Sequence, residues 1–407
     1  MDLGDLIREA LDAIRSHALR SFLTLLGIII GVATIVGVVS VIAGLDQYVQ
    51  ERIIILSPDV YVVTKFGIIR GREEFLEALK RKDITKSDIR RLEDTLTRAA
   101  EIAVQADGAR APVKYRDKRL ADVQVAGTTA NFPALITVDL ESGRYFVEAE
   151  DRAAAPVAVI GWDVKDELYP QLDPVGRKIL VGGREYEVIG LIKKQGRTLG
   201  QSQDNLVLIP LESALQQFGT RRSLDVLIRA KGGVPGVEAS VDEVRGVMRA
   251  LRHTPFKNDD PFGIVTAEAV QEIWRNISSK AFILLFLIAS VSLGVGGIVI
   301  MNIMLVSVIE RTQEIGVRKA VGANESDVRR QFLLEATILS LAGGIIGAAV
   351  GALAATLVEA QTGFPARVTP GIIGLGLALS IVVGLVAGYF PARSASRLDV
   401  VEALRAE

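Results

Sequence analysis

Residues 281–309, AFILLFLIASVSLGVGGIVIMNIMLVSVI, form an unbroken run of 29 positions without a charged side chain. A helix needs about 20 apolar residues to cross the hydrocarbon core of a bilayer. Helices in the core of a soluble protein are usually shorter and rarely lack charge for so long, so this run indicates a membrane helix. The mean hydropathy of the 407-residue chain, +0.34, and its 38 glycines also favour a membrane protein.

Three further runs, residues 21–45, 336–358 and 368–392, also contain no charged side chain and are long enough to span a membrane. The first is longer than the hydrophobic region of a cleaved signal peptide, which has about 7 to 15 residues. Acidic residues precede it where a signal peptide would be basic, so we expect it to be retained. The sequence thus predicts an α-helical membrane protein with four transmembrane helices, residues 281–309 being the second. Residues 46–280 form a large domain inserted between the first and second.

The distribution of Lys and Arg in the short flanking segments predicts the orientation of these helices, because such residues collect on the cytoplasmic side. Residues 1–20 contain three of them, residues 310–335 five and the tail, 393–407, three, whereas the short loop 359–367 contains one. We therefore expect a multi-pass plasma (inner) membrane protein with both termini and residues 310–335 in the cytoplasm and residues 46–280 outside it. Residues 1–20 also place apolar side chains on one helical face, which predicts an amphipathic helix on the inner leaflet or against a partner protein.

Glycines recur four residues apart within the predicted membrane helices. Small residues at this spacing lie on one face of a helix and let the backbone of a neighbouring helix approach closely in lipid. Glycine is also common in membrane helices in general, but the repetition favours packing faces. The glycines predicted to mediate helix packing are Gly27, Gly31, Gly343, Gly347, Gly351, Gly384 and Gly388.

Residues 46–280 alternate short stretches typical of strands and of helices, which predicts an extracytoplasmic α+β domain. We expect two subdomains, roughly 57–127 with 206–266, and 128–205. Stalk helices at both ends of the domain are expected to continue the first two membrane helices.

Individual elements of this domain are also predicted by the sequence. A helix is expected over residues 85–96, with Thr85 or Ser87 as its N-cap. The predicted strands include EIAVQADG (101–108), RAPVKYRD (110–117) and PVAVIGWDV (156–164).

Composition excludes several classes of function. The chain has no Cys, and its two His residues, His17 and His253, lie far apart in the sequence. Thiolate nucleophiles, disulfides and Cys-based metal sites are therefore excluded, and we predict no catalytic, cofactor-binding or metal-binding residue. The net charge is −1, and residues 46–280 balance 35 basic against 35 acidic side chains, so no nucleic acid partner is expected.

The stretch VIERTQEIGVRKAVGANESDVRRQFLLEA, residues 308–336, carries ten charged side chains among its 29 positions, between two uncharged runs. Its first part has helical character, and Glu314 and Arg318 form an i, i+4 pair. Gly322 is placed to end that helix, and Asn324 can cap the next one, with an acidic residue at N3. These residues predict either a fixed knob that docks a cytoplasmic partner or a solvated connector that binds lipid headgroups.

Three sequence motifs carry a resemblance to a known family. The stretch ERTQEIGVRKAVGA (310–323), followed by QFLLEA (331–336), resembles the signature region of MacB/FtsX-type ABC transporter permeases. The tail PARSASRLDVVEALRAE (391–407) is similar to the ending of that family, except that Val400 stands where Pro is usual. Residues 7–36 are similar to the first span of the family and the amphipathic helix before it, and the order of spans agrees.

This resemblance implies a permease, MacB-like and without a fused ATPase domain, that works as a homodimer or as a heterodimer with a related permease. Two copies of a separate ABC ATPase subunit would bind it, with ATP and Mg on that partner. The printed sequence has no G-x-x-x-x-G-K-[ST] phosphate loop, so we expect no cofactor on this chain. Residues 310–323 would be the coupling helix, with polar contacts from Glu310, Arg311, Glu314, Arg318 and Lys319, and with Gly316, Ala320 and Gly322 keeping it slim.

The resemblance leaves several functions open. The leading hypothesis is a non-enzymatic transporter subunit for the efflux of drugs, peptides or similar amphipathic molecules, linked to antibiotic resistance and acting by mechanotransmission. The alternatives are an FtsX-like transmitter that controls cell-wall hydrolases and a permease for lipoprotein or lipid extraction. The 235-residue outer domain favours the MacB-like hypothesis, for which a periplasmic adaptor is a further candidate partner.

Overall fold

The computed structural model describes residues 18–49, 56–69, 71–136, 138–198, 201–220, 222–362 and 365–405. The chain separates into two compact units, which we call the membrane unit (Met1–Tyr48 with Arg275–Glu407) and the outer domain (Val49–Trp274). Most of the predicted amphipathic helix, residues 1–17, lies outside the described residues. The same holds for residues 50–55, in the predicted first stalk.

The secondary structure of the described residues alternates helices and strands between the first and second long helices. In chain order the helices are α1 (Ala18–Tyr48), α2 (Arg72–Lys80), α3 (Lys86–Thr95), α4 (Phe132–Leu135), α5 (Glu148–Arg152), α6 (Trp162–Leu168), α7 (Leu211–Phe218), α8 (Val237–Leu251), α9 (Ala267–Glu310), α10 (Thr312–Ala320), α11 (Glu325–Thr362), α12 (Pro370–Ser396) and α13 (Val400–Arg405). The strands are β1 (Val60–Thr64), β2 (Ala99–Tyr115), β3 (Lys118–Thr128), β4 (Leu140–Gly143), β5 (Val157–Ile160), β6 (Lys178–Val181), β7 (Arg184–Ile192), β8 (Arg197–Thr198), β9 (Gln201–Ser202), β10 (Leu206–Pro210), β11 (Leu224–Ala230) and β12 (Gly263–Thr266).

Four of the described helices, α1, α9, α11 and α12, are long and apolar enough to cross a membrane. The α+β outer domain is inserted between α1 and α9, so the predicted fold class is confirmed. All four helices extend beyond the uncharged runs that predicted them, two of them by more than ten residues at the start. Helix α9 begins at Ala267 and α11 at Glu325, so most of residues 310–335 is helical. The second stalk stays a prediction.

Helix α11 packs most extensively against α1 and α12, and glycines line both contacts. Gly343, Gly347 and Gly351 face α1, and a Cβ placed on Gly347 would lie 2.8 Å from the Ile29 carbonyl oxygen. A Cβ on Gly388 of α12 would lie 2.6 Å from the Ala336 Cβ of α11. Backbone atoms can approach this closely only where no side chain intervenes.

The remaining predicted glycines also lie at contacts between helices. Gly384 faces Ser340 of α11, whereas Gly27 and Gly31 face α9, where a Cβ on Gly27 would be 2.7 Å from the Gly296 Cα. Gly296 was not among the predicted packing glycines, because its partner glycine lies on another helix and the four-residue spacing within one helix does not reveal it.

Among the described residues of the outer domain, one mixed sheet contains ten strands, in the order β12-β1-β11-β2-β3-β10-β5-β7-β4, with β6 pairing with β2 and β7. The pairs β3–β10 and β5–β7 are parallel, and the other pairs are antiparallel. Strands β8 and β9 form a separate small hairpin. Since β2 pairs with both β11 and β3, it joins the two halves of the sheet.

Separate apolar cores form on different parts of this sheet. One is built from residues of β1, β11, α3 and α8, and another from residues of β3, β5, β7 and α6. The second core takes side chains from both groups of residues that were predicted as subdomains. The division into 57–127 with 206–266, and 128–205, therefore stays a prediction.

Two predicted strand assignments are wrong. The stretches 101–108 and 110–117 belong to one 17-residue strand, β2, whose pairing with β3 shifts register between Ala106 and Ala109. An irregularity of this kind lets a strand pass a Gly without ending, which the sequence signal for a turn does not distinguish. The stretch 156–164 contains strand β5 and then the first turn of α6, because the chain leaves the sheet at Gly161.

The predicted start of helix α3 is confirmed. Thr85 is the N-cap, and its backbone N–H donates to Asp88 Oδ2 at 2.9 Å, as in a capping box. Ser87 lies within the helix instead.

Candidate functional site: the charged segment after the second membrane helix

The charged segment, residues 310–335, begins with a break of a single residue. Helix α9 ends at Glu310, and Arg311, with φ −101° and ψ 15°, is the N-cap of α10. The Thr312 hydroxyl lies 3.0 Å from the Val308 carbonyl oxygen and 2.8 Å from that of Ile309, so it can donate to either. Since carbonyls in the last turn of a helix lack partners within the helix, this hydroxyl stabilises the abrupt end of α9.

The end of α10 is fixed by a Schellman motif, in which backbone N–H groups beyond the helix bind its last carbonyls. The N–H of Gly322 donates to the Lys319 carbonyl and that of Ala323 to the Arg318 carbonyl, both at 3.1 Å. Gly322 has φ +109°, a conformation that side-chain-bearing residues rarely adopt. The predicted helix stop at Gly322 is thus confirmed.

Helix α11 starts only two residues later. The Asn324 N–H lies 3.3 Å from Asp327 Oδ2, and the Asp327 N–H donates to the Asn324 carbonyl at 3.0 Å. Asn324 and Asp327 therefore form one half of a capping box, at the positions that the sequence predicted. The turn between α10 and α11 is short because both of its ends are closed by such local hydrogen bonds.

Two ion pairs further hold α10 and its N-cap in place. Arg318 donates to Glu314 at 2.6 Å, the predicted i, i+4 pair, and to the Gln331 side chain of α11 at 2.9 Å. Arg311 lies 3.3 Å from the Glu335 carboxylate, also on α11. Ion pairs that are partly exposed contribute little each, about 0.3–0.5 kcal/mol, so they set orientation more than stability.

Lys319 links α10 to the end of the fourth membrane helix. Its ammonium donates to the Ser396 carbonyl at 2.9 Å and to the Leu398 carbonyl at 2.7 Å. Ser396 is the last residue of α12, where helix carbonyls lack partners and the helix dipole favours a positive charge, and Leu398 lies two residues beyond it. A single side chain thus fixes α10 against α12.

The C-terminal helix α13 packs beside α10. Asp399 precedes it and accepts the Val401 N–H at 2.8 Å through its carboxylate, as an N-cap does. Val400 stands at the first helical position, where the N–H needs no partner within the helix, which is why the family usually has Pro there. Valine at this position therefore leaves the helix start intact.

The two faces of α10 differ in exposure. Ile315 and Gly316 are buried against the membrane unit, whereas Val317 is 52% exposed and Val321, just past the helix, is 85% exposed. Glu310, Glu314 and Ala320 are also exposed. Val317 and Val321, which we call the valine pair, were not among the predicted contacts, because only polar and small side chains were predicted to contact a partner. Their i, i+4 spacing, out of phase with buried Ile315, is the signal that identifies them.

The predicted polar contacts therefore fall into two groups. Arg311, Arg318 and Lys319 bind other parts of the same chain and hold the segment together. Glu310, at the end of α9, and Glu314, one turn before Val317 on α10, are exposed. The structure thus brings together an exposed apolar pair and one acidic neighbour, Glu314, on a helix that is fixed at both ends.

Comparison with protein families and with curated relatives agrees with this architecture. The model of the MacB-like periplasmic core domain matches residues 21–250, and that of the FtsX-like permease C-terminal region matches residues 286–400. The second match includes the whole charged segment. A multi-pass inner membrane protein with an extracytoplasmic domain follows from these matches and the four apolar helices.

Three relatives illustrate the similarity. MacB of Bdellovibrio bacteriovorus, a macrolide export ATP-binding/permease protein, is 32% identical over 405 residues, which cover 98% of this chain and 61% of the relative. PvdT of Pseudomonas syringae pv. syringae, a pyoverdine export ATP-binding/permease protein, is 34% identical, over 100% of this chain and 60% of the relative. YknZ of Bacillus subtilis, an uncharacterized ABC transporter permease, is 30% identical over 100% of both chains.

The chain spans about three fifths of the first two relatives and all of the third. The resemblance predicted from the charged segment and the tail is confirmed by these matches. The chain belongs to the MacB/FtsX-type family of ABC transporter permeases.

Proposed function

We propose that this chain is the membrane subunit of an exporter that couples ATP hydrolysis on a partner ATPase to movement of the outer domain. The ATPase would bind ATP and Mg, and two copies would act on a dimer of this chain or on a heterodimer with a related permease. The observation that carries the proposal is the valine pair, exposed on a helix whose two ends are fixed by hydrogen bonds.

The exposed side of α10 has the chemistry of a docking surface. Two branched apolar side chains offer area to bury. Glu314, whose side chain stays 52% exposed in its pair with Arg318, adds a negative charge that can favour a partner with basic groups around an apolar groove. A solvated connector that only bound lipid headgroups would use exposed basic residues. Arg311, Arg318 and Lys319 are engaged within the chain. The exposed basic residues of the segment, Arg329 and Arg330, lie on α11 and not on α10. The exposed side of α10 therefore favours a protein partner.

A force applied to α10 would pass to three membrane helices. The one-residue break joins it to α9, Arg318 and Arg311 join it and its N-cap to α11, and Lys319 joins it to α12. Helix α9 has 44 residues, about 66 Å at 1.5 Å per residue. A helix of this length can carry displacement along its axis, and we propose that it transmits movement between the charged segment and the outer domain.

The direction and cargo of transport are further parts of the proposal. With the outer domain outside the cytoplasm and one span following it, residues 310–335 and both termini lie in the cytoplasm, where ATP is available. Relatives named for macrolide and pyoverdine export support efflux of amphipathic molecules such as drugs and peptides. A periplasmic adaptor is a further partner under this proposal.

The test is co-purification of an ATPase. The tagged protein is extracted gently from native membranes as wild type, as Val321→Asp, as Glu314→Lys, and as the control Val234→Asp, which places the same charge on an exposed outer-domain valine. We expect ATPase activity to accompany the wild type and the control, and to fall at least tenfold with Val321→Asp. Glu314→Lys should cause a smaller loss.

Two outcomes of this experiment would contradict the proposal. If no ATPase accompanies the wild type even after crosslinking in the membrane, the transporter proposal is wrong. If an ATPase accompanies all four proteins equally while each elutes as a folded species from size exclusion, docking occurs elsewhere than on α10.

A further inference from the structure

The outer domain contains a cavity of about 650 Å³ that the coupling proposal does not use. It lies on one face of the sheet, and fifteen residues from β2, β3, α4, β7, β9, β10 and the adjoining loops line it. Small-molecule sites in proteins usually have volumes of about 300–1,000 Å³. The cavity is thus large enough for a ligand of drug size.

Strand periodicity explains why this face is open to a ligand. Strands β3 and β10 run parallel, with Leu206 opposite Gln124 and Leu208 opposite Ala126. Because side chains alternate between the faces of a sheet, their neighbours, such as Val125 and Val207, point to the opposite face and pack in a separate core. The cavity face thus carries both apolar and amide side chains.

The walls of the cavity are built by two local structures. Phe132, Ile136 and Val138, from α4 and the residues after it, form an apolar wall. The opposite wall comes from the segment around the β8–β9 hairpin, which is closed by Asp204. This carboxylate is 1% exposed and accepts the N–H groups of Gln195 at 2.8 Å and of Gly196 at 2.7 Å.

The polar groups of the lining are available to a ligand. The side-chain amides of Gln105, Gln124 and Gln203 have no hydrogen-bond partner among the residues that the structure describes. Each amide offers two donors and one acceptor. The charged groups of the lining, Arg110 and Asp122, pair with each other and leave no net charge to attract an ion.

We propose that this cavity binds a neutral amphipathic small molecule whose amide, ester or hydroxyl groups bind the three glutamine amides while its apolar part contacts the wall. That this molecule is the exporter's cargo rests on the proposed function. An ionic ligand would lose its hydration beside apolar side chains and find no free opposite charge in the lining, which disfavours it.

The test uses cysteine protection in the full chain, reconstituted in lipid nanodiscs. Because the chain has no cysteine, Ser202→Cys introduces a single thiol in the lining, and the rate of its reaction with a maleimide reports occupancy. The probes are chloramphenicol, which is neutral and carries an amide and two hydroxyls, and its anionic succinate ester. Glu185→Cys, on the exposed surface away from the lining, is the control thiol.

We expect chloramphenicol to slow labelling of Ser202→Cys at least threefold at saturation and to leave Glu185→Cys unchanged. The succinate ester should require at least tenfold higher concentration. Adding Gln124→Leu removes one amide and should weaken protection about fivefold, the equivalent of one hydrogen bond. The matched change Gln171→Leu, on an exposed residue outside the lining, should have no effect.

A filling variant, Leu206→Trp, supplies a second measure and should abolish protection while the thermal unfolding curve stays cooperative. If chloramphenicol does not protect Ser202→Cys in the absence of further changes, the proposal is wrong. Equal protection of Ser202→Cys and Glu185→Cys would also overturn it, because it would show that the compound partitions into lipid. Protection by chloramphenicol without a co-purifying ATPase would uphold the cavity and reject the exporter. A co-purifying ATPase without protection by chloramphenicol would uphold the exporter and reject the cavity as a binding site.

Discussion

The membrane unit and the outer domain are stabilised by different kinds of contact. In the membrane unit, helix backbones meet at glycines, and polar side chains fix the helix ends around α10. In the outer domain, apolar side chains pack on both faces of a sheet, and charged pairs lie on its surface. The membrane unit should therefore be sensitive to an added methyl group at a helix contact and to loss of a side chain that binds a helix end, whereas the exposed charged pairs of the outer domain should contribute little each.

The largest expected effect comes from adding that methyl group. Gly347→Ala places a Cβ 2.8 Å from a backbone oxygen of α1, so that the two helices must move apart. We expect the free energy of unfolding to fall by about 1–3 kcal/mol. Gly294→Ala, on α9 where nothing lies within 4 Å, should be neutral or stabilising by up to about 1 kcal/mol. Thermal unfolding followed by far-ultraviolet circular dichroism measures both.

A second readout makes this prediction sharper. Trp162 lies on α6 in the outer domain, whereas Trp274 lies on α9, which continues into the membrane unit. In a Trp274→Phe background, the fluorescence of Trp162 therefore reports unfolding of the outer domain. We expect the fluorescence midpoint to stay unchanged in Gly347→Ala. If Gly347→Ala and Gly294→Ala lower the stability equally, close packing of helix backbones at Gly347 does not stabilise the membrane unit.

Removing a lysine should have different effects in the two regions. Lys319→Met leaves the Ser396 and Leu398 carbonyls without their donor and should lower the free energy of unfolding by about 1–2 kcal/mol. Lys178→Met, which removes an exposed pair with Glu185, should cost no more than about 0.5 kcal/mol. Thermal unfolding of both variants in the same detergent checks the difference, and similar losses would contradict a special role of the helix end.

The pH dependence of stability should come partly from Asp151 in the outer domain. Burial raises the pKa of this carboxyl above its ordinary value of 3.8, so the folded state holds the proton more tightly than the unfolded chain. Stability is therefore lost as pH rises through the raised pKa. Asp151→Asn should stabilise the domain at pH 7 by up to about 1 kcal/mol, with a gain that shrinks toward pH 4. If the stability gained by Asp151→Asn, measured by tryptophan fluorescence, does not change with pH, the raised pKa of Asp151 is not its cause.

The neighbouring Glu150 should give the smallest effect, with the opposite sign. Hydrogen bonds from Arg144, at 2.7 and 2.8 Å, hold the pKa of Glu150 below its usual value. This contribution is present above the ordinary pKa and is lost as pH falls through the lowered one. Glu150→Gln should therefore lower the free energy of unfolding by at most about 0.5 kcal/mol at pH 7, because the pair is partly exposed, and this cost should shrink as pH falls below the ordinary pKa of 4.5. Unfolding curves for both variants across the same pH series test the pair of predictions together.

Features set by neighbouring residues were predictable from the sequence. The uncharged runs identify the four membrane helices, and the ends of α10 and α11 follow from Gly322 and Asn324, because helix caps involve residues close in the chain. The family resemblance likewise rested on the contiguous stretch 310–323.

Features set by distant residues were not predictable in this way. The continuity of β2 past Gly108 depends on its pairing with β3 and β11, which no local pattern reveals. The binding of Lys319 to the end of α12 joins residues 77 and 79 positions apart. The valine pair was missed because charge alone was taken as the mark of a contact surface, before the burial of Ile315 fixed which side of α10 faces outward.

The bond between Lys319 and the tail has a consequence for how such links can be detected. Its acceptors are main-chain oxygens, which every amino acid carries, so the bond itself does not depend on which side chains residues 396 and 398 carry. No substitution in the tail needs a compensating substitution at position 319. Methods that infer proximity from paired changes across many sequences would therefore gain no signal from this bond, although it joins two segments that lie 77 and 79 positions apart.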